Sequence, residues 1–241
     1  MVRIGLFYKS FYKELRERIW RSVGTTLYKE RNNLLLKLLS EFKTYCVFPC
    51  FSPCENYLLD VGAYDGRMST SISEIYNLSA VCIDLSKNLE SQPQIGVFLV
   101  ADGRSLPFKP NSFSMVTSIS LIEHIPEDDR QRFYSEIKRV LRDDGCFILQ
   151  FPNRYFPIES HSFLPFVGYL PSKFHKAFSP DYVAVPSKSI IEEDLNNNGY
   201  SIVKTVEYEL PFFKSLRGAL RVFFKAFPYG FLIIAKKCDI R

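Results

Sequence analysis

The chain has 241 residues, which suits one α/β domain or two small ones and allows roughly 70–75% of the unfolded surface to be buried. Hydrophobic residues make up 46% of the chain and charged residues 24%, which argues against disorder, a collagen-like repeat and a small disulfide-dense protein. The net charge of +5 permits an anionic partner or a membrane surface without requiring either. No uncharged apolar run approaches the roughly 18 residues of a membrane-spanning helix, and the first residues lack the apolar core of a signal peptide, so we expect a cytoplasmic protein.

The first predicted element is a basic helical region. Residues 8–44 carry apolar positions at helical spacing, with a predicted break at Gly24, Thr25 and Thr26. Up to Lys43 there are ten Lys and Arg against four Glu, a charge of about +6. The basic side is either the solvated face of an N-terminal cap or a surface that meets an anionic acceptor or a membrane. We therefore separate a helical cap and linker, residues 1–56, from a domain over residues 57–241.

The linker contains Cys46, Cys50 and Cys54, whose spacing does not match the paired cysteines of zinc sites. Pro49 and Pro53 keep the segment out of a helix, and a metal site would need a fourth ligand. We predict no metal here. Unpaired thiols are the favoured interpretation, and a disulfide is the alternative.

From residue 57 onwards, short apolar runs alternate with amphipathic stretches. The predicted strands are 57–61, 80–85, 97–101, 115–119, 146–151, 201–210 and 230–237, and the clearest predicted helices are 127–141 and 189–198, the second closed by Gly199. This alternation predicts an α/β fold with a parallel sheet and helices on both faces.

Two segments interrupt the alternation and are predicted to be insertions. Residues 152–186 hold six Pro and eight Phe or Tyr, too many rings for a solvent loop and too many prolines for a long helix. Residues 211–229 place Lys and Arg at helical spacing opposite Phe and Leu, without an acid, which predicts a basic–aromatic helix. That helix either packs over the sheet edge with a solvated basic side or lies at a membrane interface.

Three acids follow successive predicted strands. Asp60 lies in the run LLDVGAYDG at 58–66, where a strand enters a glycine turn and a helix, and it is well placed for the ammonium group of an amino-acid ligand. Asp84 ends the next strand, where a carboxylate can hold both hydroxyls of a ribose. Asp102 ends the third and could accept from an adenine amino group. An ammonium, a ribose and an adenine in this order predict S-adenosylmethionine (SAM) as the cofactor.

These motifs resemble those of the class I SAM-dependent methyltransferases, particularly the branch typified by ubiquinone and menaquinone biosynthesis. The similar segments are LLDVGAYDG at 58–66, VCIDLS at 81–86, VADGRSLPFKPNSFSMVTSISLIEHIP at 100–126 and EIKRVLRDDGCFILQFPN at 136–153. The resemblance is strong over 57–153 and loose over 187–237. It implies a Rossmann-like, seven-stranded, mostly parallel sheet whose last strand is antiparallel.

The resemblance also implies a set of cofactor contacts. These are Asp60, Gly62, Ala63 and Gly66 for the methionine part, Asp84 for the ribose, Asp102 and Gly103 with flanking Leu85 for the adenine, and Ser118 and Ile119 near the methyl group. The sequence departs from the family pattern at Tyr64, where a Gly is usual, and at Ser114, where an Asp is usual. We expect Tyr64 either to pack or to contact the cofactor, Asp65 to cap the following helix, and Ser114 to have little consequence. A loop-capping role is the alternative for Asp102.

Methyl transfer requires alignment of a nucleophile and exclusion of water, and a hydroxyl nucleophile also benefits from a general base. The three histidines, His124, His161 and His175, all lie between the fourth predicted strand and the end of the first insertion. His124 and His161 are the candidate catalytic bases, with orientation of a loop as the alternative for His124. We interpret His175 as a surface residue.

The aromatic insertion is predicted to wall the acceptor pocket, with Tyr155, Phe156, Phe163 and Phe166 as lining residues. In the competing account these rings complete the core and the N-terminal helix makes the pocket. An aromatic wall favours a small-molecule, lipid or glycan acceptor with apolar or planar surface. Nucleic acid is disfavoured because no RNA-binding module is present. The alternative functions are an RNA or protein methyltransferase and a methyltransferase-like protein that binds SAM or a partner without turnover.

Overall fold

Seven strands form one sheet in the computed structural model of the chain, which describes residues 14, 17, 18, 20–46, 56–86, 96–160, 164–170 and 185–238. The strands are β1 (Tyr57–Val61), β2 (Ser79–Asp84), β3 (Val97–Val100), β4 (Phe113–Ile119), β5 (Leu141–Pro152), β6 (Tyr200–Tyr208) and β7 (Gly230–Lys237). Their order across the sheet is β3-β2-β1-β4-β5-β7-β6.

The first five strands pair in parallel, and β7 runs antiparallel to both β5 and β6. β4 is buried along nearly its whole length, as expected of a parallel strand covered on both faces. The strand order reverses between β1 and β4, so the carboxyl ends of these strands border a crevice. This sheet, together with its structural relatives below, confirms the predicted Rossmann-like fold.

Helices cover both faces of the sheet. They are α1 (Thr25–Glu41), α2 (Arg67–Tyr76), α3 (Glu127–Val140), α4 (Lys188–Asn197), α5 (Pro211–Lys214) and α6 (Gly218–Lys225). The apolar residues of α3 and α4 join one core layer, and those of α1, α2 and α5 join the other. Within the described ranges, no helix combines the length and the apolar character needed to cross a membrane.

Two helical predictions are corrected. The predicted break at Gly24 is wrong, because a π-helical turn (Trp20–Gly24) leads directly into α1 and Gly24 keeps right-handed helical angles. Leu35 and Leu39 of α1 are then fully buried against the sheet layer. The single helix predicted over 211–229 is instead two short helices, α5 and α6, and Gly218 at the start of α6 has a positive φ of 60°.

Cys46 is bonded to Cys146 in β5, with a Cα–Cα distance of 5.8 Å. The interpretation of Cys46 as an unpaired thiol is therefore wrong, and Cys50 and Cys54 lie outside the described residues. The partner is 100 residues away in sequence, inside a predicted strand, where no spacing pattern could reveal it. The bridge fastens the segment after α1 to the centre of the sheet.

Candidate functional site

Two adjoining cavities open beside the carboxyl ends of β1, β2 and β4. Their volumes are 770 Å³ and 330 Å³. Four residues line both and so form the junction between them: Gly62, Asp84, Leu121 and His124. The larger cavity is also lined by α1, and the smaller one by the turn after β3. Ligands of open α/β sheets bind at this kind of reversal in strand order.

The glycine turn after β1 is fastened to the end of β2. The backbone N–H groups of Gly62 and Ala63 both donate to the carbonyl of Ile83, at 2.9 and 3.0 Å. Gly62 has a φ of 77°, and a Cβ there would lie 2.9 Å from a methyl carbon of Leu121. The positive φ favours glycine at 62, and a larger residue would also have to displace the Leu121 side chain.

Tyr64 adopts a left-handed conformation (φ 51°) at the position where the family pattern has Gly. Its side chain is 61% exposed and borders the larger cavity, so the packing role considered for the ring is wrong. Its backbone N–H donates to Oδ2 of Asp84 at 3.0 Å. Asp65, one position before the N-cap Gly66, accepts a hydrogen bond from the backbone N–H of Arg67 at 3.1 Å and so holds the first N–H of α2, close to the predicted capping role.

Asp60 is buried at the inner end of the larger cavity, with 3% of its surface exposed. Its Oδ1 accepts a hydrogen bond from the Thr117 hydroxyl at 2.7 Å, and its Oδ2 accepts one from the Ser69 hydroxyl. Burial first, and then the nearby carboxylates of Asp84 and Asp65, raise the pKa of Asp60 to about 6 despite the lowering effect of the two hydroxyls. A positive group entering the cavity beside Asp60 would relieve this unfavourable charge.

Asp84 lies at the end of β2 and borders both cavities. Backbone N–H groups hold each of its oxygens: Tyr64 donates to Oδ2, and Ser86 donates to Oδ1 at 3.2 Å. Because a carboxylate oxygen accepts more than one hydrogen bond, Asp84 can still accept from a ligand hydroxyl at the junction.

Asp102 borders the smaller cavity but is strongly engaged by Arg104. Oδ1 accepts from the Arg104 backbone N–H at 2.8 Å, and the guanidinium binds both oxygens, which lowers the pKa of Asp102. This is the loop-capping role considered for Asp102. Gly103 and Leu85 line the same cavity, and a Cβ at Gly103 would lie only 2.8 Å from Val61.

Three of the predicted cofactor residues need separate statements. Ile119 lines the larger cavity, whereas Ser118 lines neither cavity and is fully buried, so the expectation for Ser118 is wrong. Neighbouring side chains of a strand point to opposite faces, and Thr117 and Ile119 occupy the cavity-side positions. Gly66 also lies outside both linings, where it precedes the first turn of α2 with a φ of 70°.

The larger cavity is roofed by α1, as in the account in which the N-terminal helix makes the pocket. Leu27, Tyr28 and Arg31 of α1 line it, and the guanidinium carbon of Arg31 lies 4.7 Å from the ring centre of Tyr28. Arg31 Nη1 donates to the Ser120 hydroxyl at 2.7 Å, and that hydroxyl donates to the side-chain oxygen of Gln150 at 2.9 Å. α1 is thus tied to the end of β5. The one sequence signal for this link is Gln150, a polar residue inside the apolar run of β5.

The predicted aromatic wall is wrong for Tyr155, Phe156 and Phe166, the wall residues that the structure describes. Phe156 is 4% exposed and packs at 4.9 Å from Phe213 in the core, and Tyr155 and Phe166 are about half exposed. None of these three residues lines the cavities, and Phe163 lies outside the described residues. From the insertion 152–186, the described residues that line the larger cavity are Pro152 and Ser160. The competing account, with core rings and a roof made by the N-terminal helix, fits better.

His124 follows β4 at the end of a short 3₁₀ turn (Ile122–His124). It is exposed and lines both cavities, so it is available to a bound ligand. His161 and His175 lie outside the described residues. The site therefore brings His124 together with Asp60, Asp84 and the glycine turn, as the motif order predicts.

Comparison with known proteins identifies the central part of the chain. Residues 59–149 match the family described as "Methyltransferase domain". Among curated relatives, an 18S rRNA (guanine-N(7))-methyltransferase of Schizosaccharomyces pombe is 30% identical over 111 residues, which are 40% of this chain and 41% of that protein. The chain spans about two fifths of the length of the first curated relatives it matches.

Two solved structures share the fold over most of the chain. A Pyrococcus horikoshii OT3 protein has a TM-score of 0.61 at 19% identity, covering 91% of this chain and 98% of that one. The geranyl diphosphate C-methyltransferase of Streptomyces coelicolor A3(2), solved with geranyl diphosphate and S-adenosyl-L-homocysteine, has a TM-score of 0.58 at 14% identity, covering 83% and 79%. Residues 59–149 thus match a methyltransferase domain, which confirms the predicted enzyme class and, with it, SAM as the cofactor for this domain.

Proposed function

We propose that the whole chain is a SAM-dependent methyltransferase that acts on a small-molecule, lipid or glycan acceptor with substantial apolar or planar surface. The observation that carries the proposal is a pair of carboxylates beside the glycine turn of a methyltransferase domain. Asp60 lies at the inner end of the larger cavity, and Asp84 lies at the junction of the two cavities. The buried Asp60, with its raised pKa, provides an independent fit, because a cationic ligand would stabilise its charged form.

The positions of these acids suggest how the cofactor lies. Asp60 would receive the ammonium group of the methionine part, and Ala63 would lie beside it. Asp84 would accept from the ribose hydroxyls at the junction. Gly103 and Leu85 would flank the adenine in the smaller cavity, where Asp102 acts by shaping the loop with Arg104.

The cofactor supplies a methyl group on a positively charged sulfur, which is already activated toward a nucleophile. The chain has to align the acceptor and exclude water. The α1 roof, with Leu27 and Tyr28, closes the larger cavity from above, and Ile119 and Tyr229 border it from the sheet side. For a hydroxyl acceptor, His124 and His161 are the candidate groups to take the proton as the oxygen attacks.

The acceptor class rests on the character of the larger cavity. Apolar and aromatic side chains border it beside a few polar groups, among them Arg31, Gln150 and Ser160. The geranyl diphosphate enzyme of the same fold acts on an apolar chain with a charged end, and the resemblance to quinone-biosynthesis methyltransferases also favours an apolar, planar substrate. An RNA acceptor is the second candidate, because the rRNA methyltransferase of S. pombe is a relative at 30% identity.

Calorimetric titration with S-adenosylhomocysteine tests the proposal. We expect micromolar binding and a higher melting temperature on saturation, since a ligand that binds only the native state stabilises it. Asp84→Ala should weaken binding by about 1.5–3 kcal/mol through the loss of charge-assisted hydrogen bonds. Asp128→Ala, a change of an exposed acid in the first turn of α3, is the matched control and should bind normally.

Binding of S-adenosylhomocysteine without methyl transfer to any small-molecule, lipid or RNA acceptor would support the non-catalytic alternative. No binding of either SAM or S-adenosylhomocysteine would overturn the proposal as a whole.

A further inference from the structure

We propose that an exposed patch beside the larger cavity, made from residues 155 and 164–169 and helix α6, docks on an anionic phospholipid surface. The patch consists of Tyr155, Phe166, Tyr169, Leu220, Val222 and Phe223, and each of these side chains is at least 40% exposed. Monomeric soluble proteins rarely expose a contiguous apolar surface of several large side chains unless it serves an interaction.

Ring contacts join the two segments into one patch. The ring centres of Tyr155 and Tyr169 are 5.3 Å apart, those of Tyr169 and Phe166 are 6.2 Å apart, and those of Phe166 and Phe223 are 6.4 Å apart. Val222, 73% exposed, is the next residue to Phe223 on α6. The four rings are therefore continuous although Tyr169 and Phe223 are 54 positions apart in the sequence.

A second layer of rings supports the patch from below. Phe223 contacts Phe224 at 5.3 Å, and Phe224 contacts the buried Phe213 at 4.9 Å. Phe156 connects this layer to Tyr229 at 5.1 Å, and Tyr229 borders the larger cavity. The outer rings thus rest on a layer of packed rings that reaches the larger cavity at Tyr229.

The charge around the patch is positive. Lys214, Arg217 and Lys225 are exposed, and no ion pair engages them within the part of the chain that the structure describes. Residues 210–238 contain no Asp or Glu. Of the acids near the patch, Glu159 is buried, Glu209 pairs with Arg221 at 3.0 Å, and Glu30 accepts the Phe212 backbone N–H at 2.8 Å.

The exposed apolar side chains and the positive charge around them together indicate the partner. Aromatic rings and aliphatic side chains surrounded by Lys and Arg suit the headgroup level of an anionic bilayer. A second copy of the chain would bring the three unpaired cations of each patch together, which is repulsive. Single-stranded RNA would stack on the rings but would leave Leu220 and Val222 without suitable partners.

Sedimentation with lipid vesicles tests the proposal and requires neither cofactor nor turnover, so its outcome is independent of the proposed function. We expect the full chain to sediment with phosphatidylcholine vesicles that contain about one third phosphatidylglycerol, and not with pure phosphatidylcholine. Binding should weaken as salt is raised to about 0.5 M, where charge interactions are screened within a few ångströms.

Two double variants, each compared with a matched double control, locate the contact. Arg217→Glu with Lys225→Glu should lower vesicle binding about tenfold or more, whereas Lys43→Glu with Lys109→Glu, which changes the net charge equally at other exposed positions, should lower it much less. Leu220→Ser with Val222→Ser should also lower binding about tenfold, whereas Ile190→Ser with Val203→Ser, at exposed sites on α4 and β6, should not. All eight positions are exposed or half-exposed, and melting temperatures check that the variants fold.

Three results would overturn the proposal: no binding of the wild-type chain to anionic vesicles at low salt, equal losses in the test and control pairs, or displacement from vesicles by single-stranded RNA that binds the same patch. A dimer in sedimentation velocity that Leu220→Ser with Val222→Ser dissociates, together with absent vesicle binding, would assign the patch to a second copy instead.

Discussion

The proposed cofactor side and the proposed acceptor side of the larger cavity are built by different means. On the cofactor side, backbone N–H groups of Gly62, Ala63 and Tyr64 fix the turn to the end of β2. On the acceptor side, the roof is a helix whose link to the sheet is the side-chain hydrogen bond from Arg31 to Ser120. The backbone hydrogen bonds of the turn need glycine and an acid at fixed positions. A side-chain link between a helix and the sheet can be made by many residue pairs at many positions. The first arrangement therefore leaves a recognisable motif, and the second does not.

The largest effect is expected at Phe156, which was predicted to line the acceptor pocket but lies in the core. Phe156→Ala should cost about 3–5 kcal/mol of unfolding free energy, because it removes a ring packed against Phe213, Phe224 and Tyr229. Phe166→Ala, at a 51% exposed ring, is the control and should cost less than about 1 kcal/mol. Urea unfolding measures both. A stable Phe156→Ala variant with a raised acceptor KM would restore the wall hypothesis.

The next effect is expected at the junction, where the two sides meet. If His124 takes a proton from a hydroxyl acceptor, His124→Asn should lower kcat about 100-fold and leave the affinity for S-adenosylhomocysteine unchanged. Asn keeps a hydrogen-bonding group but cannot act as the base. Because His124 also borders the cavity assigned to the adenine, a loss of cofactor affinity with normal kcat would instead make it a cofactor contact.

On the cofactor side, Asp60 should show opposite effects on stability and binding. Its folded-state pKa of about 6 exceeds the ordinary carboxyl value, so the folded protein binds more protons than the unfolded chain between about pH 4 and 6. The free energy of unfolding should therefore fall as the pH rises through this range, by up to about 3 kcal/mol. Asp60→Asn should remove that fall and raise the melting temperature of the ligand-free protein at pH 8.

The same substitution should weaken binding of S-adenosylhomocysteine about tenfold or more, because the ammonium group loses its charged partner. In the wild type, affinity should decline below about pH 6 as Asp60 becomes protonated, and Asp60→Asn should show no such decline. Calorimetry over pH 5–8 measures both proteins. An unchanged pH dependence in the variant would assign the effect to another group.

The contrast between the two sides also accounts for what the sequence could predict. β1 and β7 agree with their predicted bounds, because each is an apolar run enclosed by polar or turn residues. Asp60 and Asp84 could be placed at strand ends for the same reason. Ser118 was misplaced because the choice between neighbouring residues of a buried strand depends on the phase of alternation, which an all-buried strand does not reveal.

The acceptor side resisted prediction for a physical reason. The composition of residues 152–186 gives the number of rings but not the direction in which each ring points. Arg31 is one of ten basic residues before residue 44, and its partner Ser120 is 89 residues away. Likewise, the bridge from Cys46 to Cys146 joins two positions that no local pattern connects.

The smallest effect is expected in the α1 roof over the larger cavity. Arg31→Met keeps the length of the side chain but removes the hydrogen bond to Ser120 and the charge 4.7 Å from the Tyr28 ring centre. Because α1 is also held by buried leucines, we expect a stability loss of only about 1 kcal/mol. The acceptor KM should rise about tenfold as the roof loses its fixed position, while the Kd for S-adenosylhomocysteine stays within about twofold.

Lys29→Met, at an exposed position of the same helix, is the control and should leave both constants unchanged. Equal changes in acceptor KM and cofactor Kd would mean that the roof serves the cofactor as much as the acceptor, and the division of the cavity into two sides would then be wrong.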